Sequence, residues 1–286
     1  MATSERYLRL ADLASSQWGM VTAAQARRLD VTPQQLARMH RDGVLHRLQH
    51  GVYRLAGVPH DPLADLKAAW LSLDPEAAAA DRLARPDPVG VVSHRSAAQV
   101  HQLGDLDADR NQFTVTAPKR TRDPDTQIYK RALTPQDWTI VDGLPTTTVP
   151  VTIRDLAAAA TDGGHLAGVI RDAILHGKVS YRDVVTLLRP YAFDYGAPLG
   201  DGRTLTKTLL LQAGGLTRTL AAANRLDDTD DAWLSGQLNT AGAQHRAAET
   251  LLNIAHEFGA REELFGPAAV YGAALPPPDE PSAPDA

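Results

Sequence analysis

The chain has 286 residues, 43% of them hydrophobic, so it can bury a core as one large domain or two to three small ones. It contains no cysteine, which excludes disulfide scaffolds, thiolate metal sites, iron–sulfur clusters and thiol catalysis. Its net charge of −5 is unevenly spread: residues 1–58 hold eight arginines, no lysine and four acids (+4), while the remainder holds 21 basic and 30 acidic residues (−9).

The N-terminal MATSERYLRLADLASSQWG carries polar and acidic residues where a signal peptide needs an apolar block. No later apolar run approaches the roughly 20 residues of a membrane helix, so the expectation is a soluble, cytoplasmic protein with no membrane partner. Ser4 is placed to cap a first helix, with Tyr7, Leu10, Ala11 and Ala14 at helical spacing. Gly19 ends the following turn, and Thr22 with Gln25 forms a capping box that opens a short second helix ending at Leu29. Thr32, Pro33 and Gln35 repeat the device and open a third helix to Asp42, with Gly43 as its left-handed stop. VLHRLQHGVYRL then reads as two strand-like runs turning at His50-Gly51. Helix, helix, tight turn, helix and hairpin is the order of a winged helix-turn-helix.

Glycine and two prolines in AGVPHDP (56–62) interrupt all periodicity and mark a boundary, giving a head at 1–58 and a body at 59–270. Residues 63–73 read as an amphipathic helix, VGVV (89–92) as a buried strand, and Ser93 as the cap of a helix to Leu103. FTVTA (113–117) and TQIYKRA (126–132) read as strands around a basic loop, a solvated hairpin; TIVDG and LPTT as further short strands or turns. From Pro150 onward, apolar stripes predict helices at 151–160, 165–176, 181–189, 204–213 and 216–224, and 232–258 is also helical. The class is α+β: a winged helix-turn-helix, then a mixed α/β and helical C-terminal domain. Residues 271–286, rich in proline, read as a disordered tail.

In the third helix, Leu36 and Met39 or His40 point inward, while Gln34, Arg38 and Arg41 share the opposite stripe. A recognition helix needs that division: one side docked on its neighbours, the other bearing hydrogen-bonding groups for the major groove. Arginine reads guanine and glutamine reads adenine through paired bonds, and Gln35 lies beside the stripe near the helix N-terminus, where groove contact is usual. Arg47, Gln49 and His50 at the wing, with Arg27 and Arg28 of the second helix, suit phosphate or minor-groove contact. The bland alternative is a solvated polar face and an ordinary hairpin tip. In loop 117–131, Lys119, Arg120, Arg122, Lys130 and Arg131 are broken up by Asp123 and Asp125, which favours a solvated surface over a second binding site.

Catalytic patterns are missing from the sequence. Ser93-His94 with His101 is better explained by capping; Gly163-Gly164 and Gly214-Gly215 lack the context of a phosphate loop; DDTDD (227–231) lacks the glycine and glutamate of a calcium loop. The expectation is a non-enzyme without cofactor or metal.

SSQWGMVTAAQARRLDVTPQQLARMHRDGVLHRLQHGVYRLAG strongly resembles the AbiEi family of bacterial antitoxins. Its marks are Gln17, Gly19, Val21, Thr22, Gln25 and Leu29, then Arg41, Asp42, Gly43 and Leu45, and finally Gly51, Val52 and Tyr53. VSHRSAAQVHQLGDL (92–106) and DGLPTTTVPVTIRDLAA (142–158) continue the likeness more loosely, as in actinobacterial members. The resemblance implies a DNA-binding autorepressor of an operon that also encodes a nucleotidyltransferase-like toxin, countered as in type IV systems, often without a stable complex. A similar head and middle also precede a restriction-endonuclease-like domain in actinobacterial proteins. That domain needs acidic residues on adjoining strands, and the helical pattern of 201–286 argues against it.

Two functions from different classes follow. In the first, Gln34, Gln35, Arg38 and Arg41 read an inverted-repeat operator in the protein's own promoter, with Arg27, Arg28, Arg47 and His50 on phosphates. The protein is then a monomer in solution or a pair assembled on DNA, the head binds DNA without help, and the acidic body counters the toxin. In the second, the protein is a stand-alone regulator, or the head is a docking module and the body binds a ligand or partner.

Overall fold

The computed structural model describes residues 3–121 and 123–213. The expected helices at 216–224 and 232–258, Arg122, Gly214-Gly215, the 227–231 acidic cluster and the 271–286 tail lie outside the described residues. The head consists of α1 (Thr3–Ser15), β1 (Met20–Thr22), α2 (Ala23–Arg28), α3 (Pro33–Arg41), β2 (Leu45–Gln49) and β3 (Val52–Leu55). Both expected capping boxes form: the Thr22 and Thr32 hydroxyls accept from the backbone N–H of Gln25 and Gln35, whose side chains return to the cap N–H groups. The strands make an antiparallel sheet in the order β1-β3-β2. β1 is an addition to the sequence reading, since three residues running directly into a helix cap are too few to show alternation. Leu10, Ala14, Val21, Ala26, Val31, Leu36, Met39, Leu45 and Leu55 fill the head's core.

The body begins with α4 (Ala64–Leu73) and α5 (Ala79–Leu83). α4 corrects the amphipathic reading of 63–73: eight of its ten residues are buried, Lys67 among them, because it packs against all three head strands on one side and β5 (Asn111–Val115) on another. Met20 and Val52 of the head join Trp70, Val92, Phe113 and Leu144 of the body in one hydrophobic cluster. A chain cut at residue 58 would expose both.

The second sheet has the order β6-β5-β4-β8-β7, with β4 at Val91–Val92, β6 at Thr126–Lys130, β7 at Trp138–Val141 and β8 at Leu144–Thr147. β5 and β6 pair in parallel, Gln112 with Gln127 and Thr114 with Tyr129, which corrects the hairpin expected for 113–132. β7 and β8 do form a hairpin, turning at Asp142-Gly143 with both φ positive (50° and 77°). Behind this sheet lie α6 (His94–Val100), α7 (Val149–Ala158), α8 (Gly163–Leu175), α9 (Tyr181–Leu188) and α10 (Gly202–Gln212), packed around Ile153, Leu156, Leu166, Ile170, Val184 and Leu205. Ser93 sits at the N-cap of α6 as expected, but its side chain makes no capping bond; its hydroxyl meets His94 Nδ1 at 3.0 Å instead. Among the described residues no helix is long and apolar enough to cross a membrane, and no group of His, Asp and Glu could hold a metal.

Candidate nucleic-acid interface

α3 owes its orientation to its two faces. Leu36 and Met39 are buried in the head core, while Gln34, Ala37, Arg38, His40 and Arg41 are exposed. Gln34, Arg38 and Arg41 thus stand on one outward stripe of a helix fixed at its start by the Thr32–Gln35 box. Gln34 and Arg41 make no side-chain bond to another described residue, and Arg38 holds only a loose pair with Asp42, Nε to Oδ2 3.6 Å. Exposed pairs of this length contribute little to stability, so the guanidinium remains open to a stronger acceptor. Gln35 is half-buried, and its Oε1 accepts from the Thr32 N–H at 2.8 Å. Its NH2 can still donate, but a paired contact to adenine would require breaking the cap.

The phosphate candidates divide in the same way. Arg27 lies in the last turn of α2, exposed and without a described partner, whereas Arg28 donates through Nη1 to the Glu76 carbonyl at 3.1 Å. At the wing, Arg47 donates from Nε to the Gln49 carbonyl (3.3 Å), and its Nη2 meets His50 Nδ1 at 3.1 Å. Arg47 and His50 are therefore organised together at an exposed hairpin tip, where a bulge between Arg47 and Gln49 shifts the register of β2 against β3. Gln49 turns away: it is half-buried and donates to the Ala68 carbonyl of α4 at 3.1 Å. In the loop after β5, Lys119 and Arg120 are exposed, but Arg131, just after β6, donates from Nη2 to both Asp155 carboxylate oxygens, 3.1 and 2.8 Å, and serves the body's structure.

Residues 8–56 match a family model described as "Transcriptional regulator, AbiEi antitoxin". That stretch of the head is similar to an AbiEi-family regulator domain. No curated protein matches the sequence. Among solved structures, the RV2827C protein from Mycobacterium tuberculosis is 17% identical, with a TM-score of 0.45 over 79% of this chain and 82% of that one.

Of the residues that mark the AbiEi block, Arg41 alone lies on the outward stripe. Gln17 is fully buried; its Nε2 donates to the Met20 carbonyl and Gln25 Oε1, both at 2.7 Å, and its Oε1 accepts from the Ala79 N–H at 3.3 Å. Gln25 donates to the Ala77 carbonyl at 2.9 Å, and the Thr22 hydroxyl donates to the Pro75 carbonyl. Gly19 has φ +72°, and a Cβ there would collide with Val58. Gln17, Thr22 and Gln25 of that block thus build the joint between the head and segment 75–79. That role is invisible in the sequence, which shows Thr22 and Gln25 only as a local cap.

Proposed function

We propose that the protein is a type IV antitoxin that represses its own operon by binding an inverted repeat in the promoter, and that it counters a nucleotidyltransferase-like toxin encoded beside it. In this reading it is a cytoplasmic non-enzyme without cofactor, and it assembles as a pair on DNA. The observation that carries the proposal is the outward stripe Gln34, Arg38 and Arg41 on a capped helix, flanked by Arg27 and by the Arg47–His50 wing tip. Guanidinium forks and a free amide on a rigid helix are what major-groove edges select. The acidic body is repelled by DNA, which leaves the head to bind the operator and assigns the toxin to the rest of the chain.

The test is fluorescence anisotropy on the protein's own upstream region with the full chain. With about five phosphates engaged, log K should fall against log salt with a slope of about −4 to −5. Arg38→Ala should cost about 1–3 kcal/mol of specific binding and relax the preference at one base pair. Equal affinity for scrambled DNA, or an Arg38→Ala variant that binds as the parent does, would sink the proposal. For the toxin, co-expression with the neighbouring gene should rescue growth in both parent and Arg38→Ala, because the body is untouched.

A further inference from the structure

A cavity of about 420 Å³ lies between β5, β6, the start of α6 and the C-terminal end of α7, and DNA reading does not use it. That size falls in the range of small-molecule sites. Parallel pairing sets Gln112 beside Gln127 and Thr114 beside Tyr129, so the two strands present polar side chains together on one sheet face. Leu156, Ala159 and Ala160 give the opposite wall, and the charged lining is two cations, Arg95 and Arg110, and one carboxylate, Asp109.

Three features distinguish this cavity from a packing gap. His94 is buried in a left-handed conformation, φ +52°, and Ala160 across the cavity has φ +51°. Non-glycine residues held there store strain, and such strain gathers at ligand sites. The His94 ring stacks on Tyr129, centroids 3.7 Å apart and planes 17° off parallel. Burial, aided by the Arg131 charge, pushes the His94 imidazole down to about 4, so the stack is uncharged at neutral pH. The third feature is unspent charge. Arg95 reaches only the Asp107 carbonyl at 3.4 Å and Asp109 at 3.9 Å, and the exposed Arg110 guanidinium has no partner among the described residues.

We propose that this cavity binds a nucleoside phosphate. Arg95 and Arg110 take the phosphate oxygens through guanidinium forks. The Gln127 amide and the Tyr129 hydroxyl meet the hydrogen-bonding edge of the base or sugar, with Ala159 and Ala160 against its apolar surface. Gln112 has a supporting part: its Oε1 holds the Arg95 N–H at 2.8 Å and its Nε2 lies 3.4 Å from the Tyr129 hydroxyl. The same chemistry is offered by a free mononucleotide and by the 5′-phosphorylated end of a strand.

Isothermal titration of the full chain with AMP, GMP, CMP, UMP, the matching nucleosides, inorganic phosphate and a 5′-phosphorylated trinucleotide tests it. At least one mononucleotide or the trinucleotide should bind, with the nucleoside and inorganic phosphate at least tenfold weaker. The tighter of the two phosphorylated probes identifies the source. Arg110→Ala should weaken binding about tenfold, as expected for loss of one charge-assisted contact. It removes no structural bond, and operator affinity measured on the same samples should stay unchanged, so failure here leaves the DNA reading standing. The proposal is overturned if none of the phosphorylated probes binds at millimolar concentration, or if Arg110→Ala and Gln127→Ala both bind as tightly as the parent.

Discussion

The polar side chains on the outer face of the head and those buried behind it are of the same kinds, glutamine and arginine, yet they meet opposite conditions. Gln34, Arg27, Arg38 and Arg41 stand in solvent with few or weak partners. Gln17, Gln25 and Arg82 are at most 3% exposed, and their polar groups are largely spent within the fold. Arg82, for example, donates to the Trp70 and Val89 carbonyls, both at 2.7 Å, with its guanidinium 3.5 Å from the Trp70 ring centroid. A buried polar group must be paired or it costs stability, whereas an exposed unpaired one costs little and remains available to a partner. Residue type therefore does not separate structure from function in this head; the unspent hydrogen-bonding capacity does.

The sharpest way to break that comparison is at the shared core. Trp70 is fully buried, its Nε1 donates to the Gly90 carbonyl at 2.8 Å, and it meets Trp18 of the head edge-on at 5.9 Å. Trp70→Ala should cost about 3–5 kcal/mol in urea unfolding, through the cavity and the loss of the Arg82 platform. If head and body were independent, α1–α3 would keep its own transition; a single, lowered transition followed by far-ultraviolet dichroism and tryptophan fluorescence is the expected result.

Burial also sets a pH dependence. Desolvation first, then the Arg131 charge, hold His94 at about 4 against an unfolded value near 6.5. Desolvation likewise lowers His101, despite its 2.7 Å contact with the Thr147 carbonyl, and raises Asp155 against the pull of Arg131 and Arg154. For His94 the unfolded chain takes up the proton first as pH falls. Its contribution is therefore full above pH 6.5, declines between 6.5 and 4, and amounts to roughly 3 kcal/mol at most. His94→Asn removes the titration, and asparagine tolerates the left-handed backbone. The variant should lose less stability than the parent between pH 7 and pH 4.5; parallel curves would show that His94 is not the group responsible.

Gln17 tests the joint on a smaller scale. Gln17→Leu keeps the volume and leaves the Met20 carbonyl, the Ala79 N–H and part of the Gln25 amide unpaired in the interior. A loss of about 1–3 kcal/mol is expected, read as a shift in the denaturation midpoint without a change in slope. Operator affinity per folded molecule should hold, because the α3 stripe is untouched.

How much of this was legible depended on how local the signal was. Both capping boxes, the Gly43 stop and the hairpin lie within a few residues of what they control, so the head could be read element by element. The stripe of Gln34, Arg38 and Arg41 follows from helical periodicity alone. What could not be read is long-range. Nothing in 113–132 says that the two strands run parallel, and the apolar run of α4 does not say that two sheets enclose it. Gln49 looks like a wing residue until Ala68 is known to lie beneath it. The cavity at His94 draws on four separate elements, and its only trace in the sequence is a serine–histidine pair that reads as a helix cap.

The smallest expected effect isolates the outer face. Asp42 follows the last turn of α3, where the helix dipole disfavours a carboxylate, and it pairs with Arg38 at 3.6 Å, both side chains being more than half exposed. Asp42→Asn removes a weak ion pair and relieves an unfavourable charge–dipole contact. The two terms oppose each other, so stability should move by less than about 0.5 kcal/mol. DNA binding should respond more. The substitution frees the Arg38 guanidinium and deletes a negative charge that would sit near the phosphates, so operator affinity should rise a few-fold at low salt. The gain should shrink as salt rises, since screening weakens the deleted repulsion. A fall in affinity would mean that Asp42 orients Arg38 for its base, and that this arginine is pre-set by its neighbour like the buried ones. An unchanged affinity would mean that the 3.6 Å pair does not compete with DNA for Arg38, leaving Arg38→Ala to decide its place in the stripe.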